Sequence, residues 1–350
     1  MSNGNVDPQL LLVRRQYMQL FEPDFLAWPS PKYLKDTDIQ KWLYKYLFDP
    51  RRNPRLPPAS YQVRVLEQLI AKINKTIHNT EEDAILGELA TCLEAFVARG
   101  VPSESQTTQE NAYVIFTCIL EKNALDWDQY DDTSEPTVTI LERRHLVSGS
   151  RTTGFRTWEG SLHLGSYLLT EAGSNLINGK NVLELGAGTG FLTILSAKHL
   201  HASHVTATDG DEGVIETLKE NLDLNELGDR KIVRAGTLTW GRDLRGTWVE
   251  EDCNAHPYDV ILGADITYEK TAVLALVSTL LHLFDMRRQL KVIISSVVRN
   301  AETFQTFRSE CIRGGLTIED ILFEPKPMRQ QKSLFYAAAM PIKILSITRP

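Results

Sequence analysis

The sequence predicts an α/β fold, a doubly wound and mostly parallel sheet preceded by a helical domain, and three observations carry that expectation. After Trp158, short apolar runs of strand length alternate with segments of helix length. From Asp7 to about Lys122 the apolar residues recur at helical spacing instead. Between the two lies DWDQYDDTSEP, dense in acids and turn formers and without apolar periodicity. Strand–helix alternation implies right-handed crossovers, hence parallel strands covered by helices on both faces.

Taken in order, residues 1–125 read as a helical domain. In YQVRVLEQLIAKI, Val63, Leu66, Leu69, Ile70 and Ile73 fall on one helical face. The segments WPSP, DPRRNPRLPP and NTEED supply the prolines and acidic caps that stop one helix and start the next. Residues 126–136 form an acidic linker, read as a solvated loop. The sheet domain, 137–350, opens with TVTILERRHLV as a strand and SGSRTTGF as the turn after it. Strands are then expected at NVLELG, HVTATD, KIVRAG, YDVILGAD, KVIISSVV, LTIEDILF and SLFYAAAMPIKIL. The last two have no helix between them and should pair antiparallel at one edge of the sheet.

Bulk properties narrow the function. A net charge of -7 argues against a broad basic surface for nucleic acid. Cys92, Cys118, Cys253 and Cys311 are far apart with no C-x-x-C pair, so they read as small buried hydrophobes, with neither a zinc site nor a disulfide framework suggested. No signal-peptide pattern opens the sequence, and AVLALVSTLLHLF is too short to span a bilayer. A soluble cytoplasmic protein is the expectation, with no membrane or direct nucleic-acid partner.

The chemistry lies at the carboxyl ends of the expected strands, where ligands bind in open α/β sheets. NVLELGAGTGF places Gly186, Gly188 and Gly190 in the turn after the first of them. A dinucleotide fingerprint needs G-x-G-x-x-G, but its third glycine position is Phe191, which weakens the pyrophosphate reading. G-x-G-x-G behind a strand ending in an acid, here Glu184, is the pattern expected for S-adenosylmethionine. Asp209 ends the next strand at the distance where a carboxylate reaches a ribose diol, and Asp211 is left to cap the following helix. ADITYE sets Asp265 and Tyr268 at the edge where a reacting group enters, and a carboxylate there suits an amine acceptor. Trp158 and Trp240 flank these motifs. Three alternatives stand beside a methyltransferase acting on a protein lysine: one acting on a small amine, a non-catalytic binding scaffold, and an NAD-linked dehydrogenase.

TGFRTWEGS, VLELGAGTG, TATDGD, LTWG and ADITYE, in that order, resemble the seven-strand methyltransferases of the lysine-specific protein group called family 16. Within that group the likeness is to the branch that methylates elongation factor 2. The resemblance implies a seven-stranded Rossmann-like class I methyltransferase sheet and a protein-lysine N-methyltransferase activity. S-adenosylmethionine would be the donor, S-adenosylhomocysteine the product, and elongation factor 2 the protein substrate. It also implies cofactor contacts at Trp158, Glu184, Gly186, Ala187, Gly188, Asp209, Trp240 and Ala264, with Asp265 and Tyr268 as catalytic residues on the acceptor side. No metal is implied, and a monomer is expected. One departure is Thr239, which stands where the group usually has an acid before the tryptophan.

Overall fold

The structure, a computed structural model, describes residues 6–75, 85–100, 111–121, 135–143 and 153–350. These fall into two compact units, one holding the described residues up to 119 together with 135–143, the other 120–121 and 153–350. Residues 126–134 of the expected acidic linker, the NTEED punctuation and most of the SGSRTTGF turn lie outside the described residues.

The N-terminal unit contains helices α1 (Pro8–Met18), α2 (Pro31–Leu34), α3 (Thr37–Leu43), α4 (Ala59–Asn74) and α5 (Gly87–Arg99). Helix α1 starts where Asp7 accepts a hydrogen bond from Gln9 N and Pro8 takes a first-turn position that needs no donor. Along α4, Val63, Leu66, Leu69 and Ile73 are buried as the helical spacing predicts, and Ile70 packs half-buried against the same core. Tyr17 sits at the centre, edge-on to Phe48 at 5.6 Å and tilted against Tyr61 at 5.5 Å.

Among the described residues this unit also contains two strands. β1 (Asn111–Thr117) and β2 (Thr137–Arg143) pair antiparallel, from Asn111 opposite Arg143 to Thr117 opposite Thr137. The strand expected at 137 therefore exists but does not open the larger sheet. Its ladder partner is β1, inside a stretch read as helical, and the boundary of the sheet unit falls after β2 rather than at 137.

The second unit is built on seven strands: β3 (Asn181–Leu185), β4 (His204–Asp209), β5 (Val233–Thr237), β6 (Val260–Ala264), β7 (Lys291–Val297), β8 (Thr317–Ile321) and β9 (Ile342–Thr348). Their order in the sheet is β5-β4-β3-β6-β7-β9-β8. All neighbours from β5 to β7 are parallel, and β9 runs antiparallel to both β7 and β8, which gives the expected antiparallel edge. Only residues from Ile342 onward join it. Leu334 has a positive φ of 47°, Pro341 has no N–H to donate, and Gln331 clamps the intervening loop through bonds to Lys326 O and to both backbone groups of Tyr336.

Helices α6 (Glu159–Leu168), α7 (Glu171–Ile177), α8 (Phe191–Lys198), α9 (Glu212–Leu224), α10 (Trp248–Ala255), α11 (Lys270–Met286) and α12 (Ala301–Arg313) complete this unit. Strand alternation divides them between the two faces. Leu183, Leu185, Ile261, Val292 and Ile294 share one apolar cluster with α10, α11 and α12, whereas α6, α8 and α9 rest on the sheet elsewhere, α8 receiving Glu184. Strand order reverses between β3 and β6, both parallel and adjacent. That reversal opens a crevice at their carboxyl ends, where α/β sheets bind ligands. Among the described residues no helix is long and apolar enough to cross a membrane.

Candidate active site

A cavity of about 570 Å³ occupies this crevice, within the usual size of a small-molecule site of about 300–1,000 Å³. The glycine turn after β3 forms one wall. Gly186, Gly188 and Gly190 have φ of 66°, 53° and 83°, the left-handed region that glycine enters without steric cost. The turn is held from β4: Ala187 N donates to Thr208 O at 2.8 Å, and Gly188 N donates to Asp209 Oδ2 at 3.1 Å. The TGFRTWEGS segment is stitched to the same turn. Thr157 and Thr189 hydroxyls lie 2.8 Å apart, and a Cβ on Gly188 would stand 3.3 Å from Gly154 O. Trp158 precedes α6 as its N-cap residue, with its indole N–H donated to Thr153 O at 2.7 Å.

Asp209 lies at the end of β4 and borders the cavity. Oδ2 accepts from Gly188 N and Oδ1 from Asp211 N, so each oxygen keeps acceptor capacity for a ligand hydroxyl. Burial pushes its carboxyl above the usual range, against three backbone N–H bonds that favour the charged form. Asp211 caps α9 as expected, accepting from Gly213 N and Val214 N. Trp240 follows β5 with its ring edge beside Gly186, since a Cβ there would come within 3.5 Å of it.

Across the crevice, Ala264 ends β6 and Asp265 turns the chain with a positive φ of 53°. Its Oδ2 accepts from Gly160 N at 2.9 Å and its Oδ1 from Val297 N at 2.8 Å. The carboxylate thus ties the first turn of α6 to the end of β7 while facing the cavity. Burial raises its pKa, opposed by the Val297 N–H, Arg299 and the Gly160 N–H. Tyr268 stands half exposed on the cavity lining.

The structure therefore brings Trp158, Gly186, Ala187, Gly188, Asp209, Trp240, Ala264, Asp265 and Tyr268 around one cavity. Glu184 is the exception. It lies within β3, one residue out of phase with Leu183 and Leu185, so its side chain points to α8, where it accepts from the Thr193 hydroxyl. Burial pushes its pKa up to about 8. It supports the turn from behind and does not line the cavity.

Sequence reasoning missed Arg299 and Gly160. Arg299 lies 3.7 Å from Asp265 Oδ1, 3.5 Å from Glu159 Oε2, and over the Trp158 ring at 5.4 Å. It comes two residues after β7, a position whose signal was its place at the carboxyl edge beside β6. Gly160 is required because a Cβ there would fall 2.6 Å from the Asp265 carboxyl group.

A family model described as lysine methyltransferase matches residues 136–310, from β2 into α12. The protein-lysine N-methyltransferase EFM3 of Chaetomium thermophilum is 39% identical over 343 residues, covering 98% of this chain and 98% of that protein. The chain belongs to the lysine methyltransferase family. EFM3 of Saccharomyces cerevisiae is 34% identical over 231 residues, 61% of this chain and 66% of the relative. Human protein-lysine N-methyltransferase EEF2KMT is 25% identical over 355 residues, 95% and 96% of the two chains.

As a family member the chain is an S-adenosylmethionine-dependent methyltransferase, which sets aside the dehydrogenase and scaffold readings. The residues present suit that donor. Glycines let the backbone approach it, Asp209 offers a carboxylate for hydroxyl donors, and Leu238, Val214 and Trp240 supply apolar wall.

Proposed function

We propose that this lysine methyltransferase modifies a lysine side chain of elongation factor 2. The observation that carries the reading is the placement of the glycine turn and Asp265 on opposite sides of one crevice at the β3–β6 reversal. The full-length likeness to EFM3 and EEF2KMT, both named protein-lysine N-methyltransferases, supports a protein acceptor. The proposed acceptor puts the reaction in the cytoplasm, with the enzyme acting as a monomer.

When bound, S-adenosylmethionine supplies an electrophilic methyl group on its sulfonium. In the proposed arrangement, the backbone at Gly186–Gly188 meets its amino-acid end, and the Asp209 oxygens accept its ribose hydroxyls. Trp158, Trp240 and Ala264, which line the same cavity, would hold it there. Asp265 retains lone pairs beyond those given to Gly160 and Val297, and these would orient an incoming lysine ammonium, which must give up one proton to solvent before its nitrogen lone pair can accept the methyl group as the S–CH3 bond breaks. Tyr268 lines the same side with its phenol. Burial raises the Asp265 pKa, and the Val297 N–H, Arg299 and the Gly160 N–H oppose that rise by favouring the charged form.

The test is mass spectrometry of purified elongation factor 2 after incubation with the enzyme and isotopically labelled S-adenosylmethionine, with Asp265→Ala in parallel. Label on a lysine with the wild type alone is the expected result. No label, with S-adenosylmethionine binding still measured by calorimetry, would discard elongation factor 2 as the acceptor and retain the cofactor site.

A further inference from the structure

The N-terminal unit has a cavity of its own, about 250 Å³, whose charge is opposite to that of the chain. The whole sequence carries a net charge of -7, yet among the described residues Arg14, Arg15, Arg52 and Arg55 line this cavity against a single carboxylate, Glu135. Arg15 and Glu135 neutralise each other. Both are buried, and Arg15 Nε donates to Glu135 Oε1 at 2.8 Å.

The remaining cations are gathered by the fold. Arg14, Lys45 and Arg52 lie 5.6, 4.7 and 5.6 Å from the centroid of the Tyr46 ring, whose negative faces offset part of their mutual repulsion. Buried Asn53 fixes the turn that carries Arg52 and Arg55, donating from Nδ2 to Lys45 O at 3.1 Å and to Asp49 O at 3.3 Å. The β1–β2 pair supplies the floor: Thr117 opposes Thr137 and Ile115 opposes Thr139, so all four side chains share one face. Among the described residues, no carboxylate forms an ion pair with Arg52 or Arg55. Two guanidinium groups on a fixed turn, beside a pit lined by hydroxyls, are a built acceptor for oxyanions.

We propose that this pocket docks an acidic segment of the protein substrate, seating its aspartate or glutamate carboxylates against Arg52 and Arg55. The proposal rests on the reading that the acceptor lysine belongs to a folded protein, and it names what that protein must present in addition to its lysine. A cleft that accepts one lysine side chain distinguishes poorly among many exposed lysines, and a second charged contact adds discrimination. A nucleic acid fits the pocket less well. The cations form a compact pit rather than a stripe, and Tyr46, only 4% exposed, offers no face on which a base could stack.

The test uses the full-length chain and a fluorescein-labelled oligoglutamate peptide, read by fluorescence anisotropy, with oligolysine and inorganic phosphate as comparison probes. Wild type is expected to bind oligoglutamate, more weakly as salt rises, and not oligolysine. The double substitution Arg52→Glu/Arg55→Glu changes two surface residues and should leave melting and S-adenosylmethionine affinity unchanged. It should weaken peptide binding by about tenfold or more and raise KM for the protein substrate with kcat unaltered. Unchanged peptide affinity in a variant that melts like wild type would overturn the proposal. So would displacement of the peptide by phosphate at equal concentration, which would mark a small-anion site. Binding that appears only after the chain's own acids Asp126, Asp128, Asp131 and Asp132 are changed to asparagine would also overturn it, since the occupant would then be internal. The peptide measurement does not involve elongation factor 2, so a failed acceptor assignment and a failed docking site give different patterns.

Discussion

Asp265→Asn separates two duties of one carboxylate. Asn matches Asp in size and, like Asp, tolerates the left-handed backbone that Asp265 occupies at φ 53°, so the exchange adds no backbone strain. What changes is one oxygen, which becomes an NH2 donor. Asp265 faces two backbone donors, Gly160 N at 2.9 Å and Val297 N at 2.8 Å, so either orientation of the amide leaves one N–H opposite another donor. Stranding a buried N–H costs about 1–3 kcal/mol, and the surviving bond loses its charge assistance, which makes such bonds about twice as strong. A destabilisation of roughly 2–3 kcal/mol follows from these terms. For a unit of this size each kcal/mol lowers Tm by about 2–4 °C, so the variant should melt roughly 4–12 °C below wild type.

The tether also has a ligand-side consequence. Gly160 lies in the first turn of α6, directly after Trp158 and Glu159, so loosening it frees the cavity wall that Trp158 forms. S-adenosylmethionine affinity, measured by calorimetry, should therefore fall together with Tm, and methylation should fall further because the acceptor carboxylate is gone. Asp265→Ala should melt lower still, since both acceptors vanish and alanine at positive φ adds about 1–2 kcal/mol. A wild-type melting curve and wild-type cofactor affinity in Asp265→Asn would refute the tether.

Two further substitutions probe the surroundings. Burial disfavours the charge of Glu184 and pushes its pKa up to about 8, well above the ordinary carboxylate range. Its folded pKa is raised, so its contribution is fully present below the unfolded value and is lost as pH rises toward the folded one. Glu184→Gln should therefore gain on wild type between these limits, by up to about 1.4 kcal/mol per pH unit, and a difference in melting that is flat from pH 5 to 8 would contradict this. Arg299→Met should cost under about 1 kcal/mol, since the guanidinium is partly exposed and screened. It should nevertheless move the acid limb of kcat/KM to higher pH by removing one of the groups that oppose the upward shift of Asp265, and Arg299→Lys should restore the limb; an unmoved limb would exclude Arg299 from tuning that carboxylate.

The sheet was legible because each of its parallel strands ends in a turn signal and hands over to a segment of helix length. The pair β1–β2 was only half legible. Asn111–Thr117 has the alternation of a strand, with Ala112, Val114 and Phe116 buried, but it lies within a stretch dominated by helical spacing. The strand at 137 was visible, while its partner, across a segment of unrelated composition, was not. The same rule of alternation that identifies β3 also sends Glu184 to the opposite face from Leu183 and Leu185, so its absence from the cavity follows from the strand itself. Arg299 was signalled only by its place just past β7, and the contact of Gly160 had no signal at all. Gly160 meets Asp265 across 105 positions, and no spacing rule reaches that far.

What the separated motifs have in common is a shape rather than a spacing. Asp265 and Ile266 project from the turn after β6 into volume left open by three glycines on three different segments. A Cβ on Gly160 would fall 2.6 Å from the Asp265 carboxyl, one on Gly186 would fall 2.6 Å from Ile266 Cγ2, and one on Gly263 would fall 2.5 Å from Ile266 Cδ1. The glycines in WEG, GAG and LGAD are thus counterparts of the acid and isoleucine in ADI. Gly186 has two reasons to lack a side chain: its positive φ of 66° and the packing of Ile266. The positive φ of Asp265, itself a cost of about 1–3 kcal/mol, is held in place by this interlock and by the bond from Asp265 N to Ser295 O. Backbone strain at the reversal of strand order is therefore tied to the carboxylate position on which the proposed chemistry depends, and relaxing any one glycine should disturb cofactor and acceptor sides together.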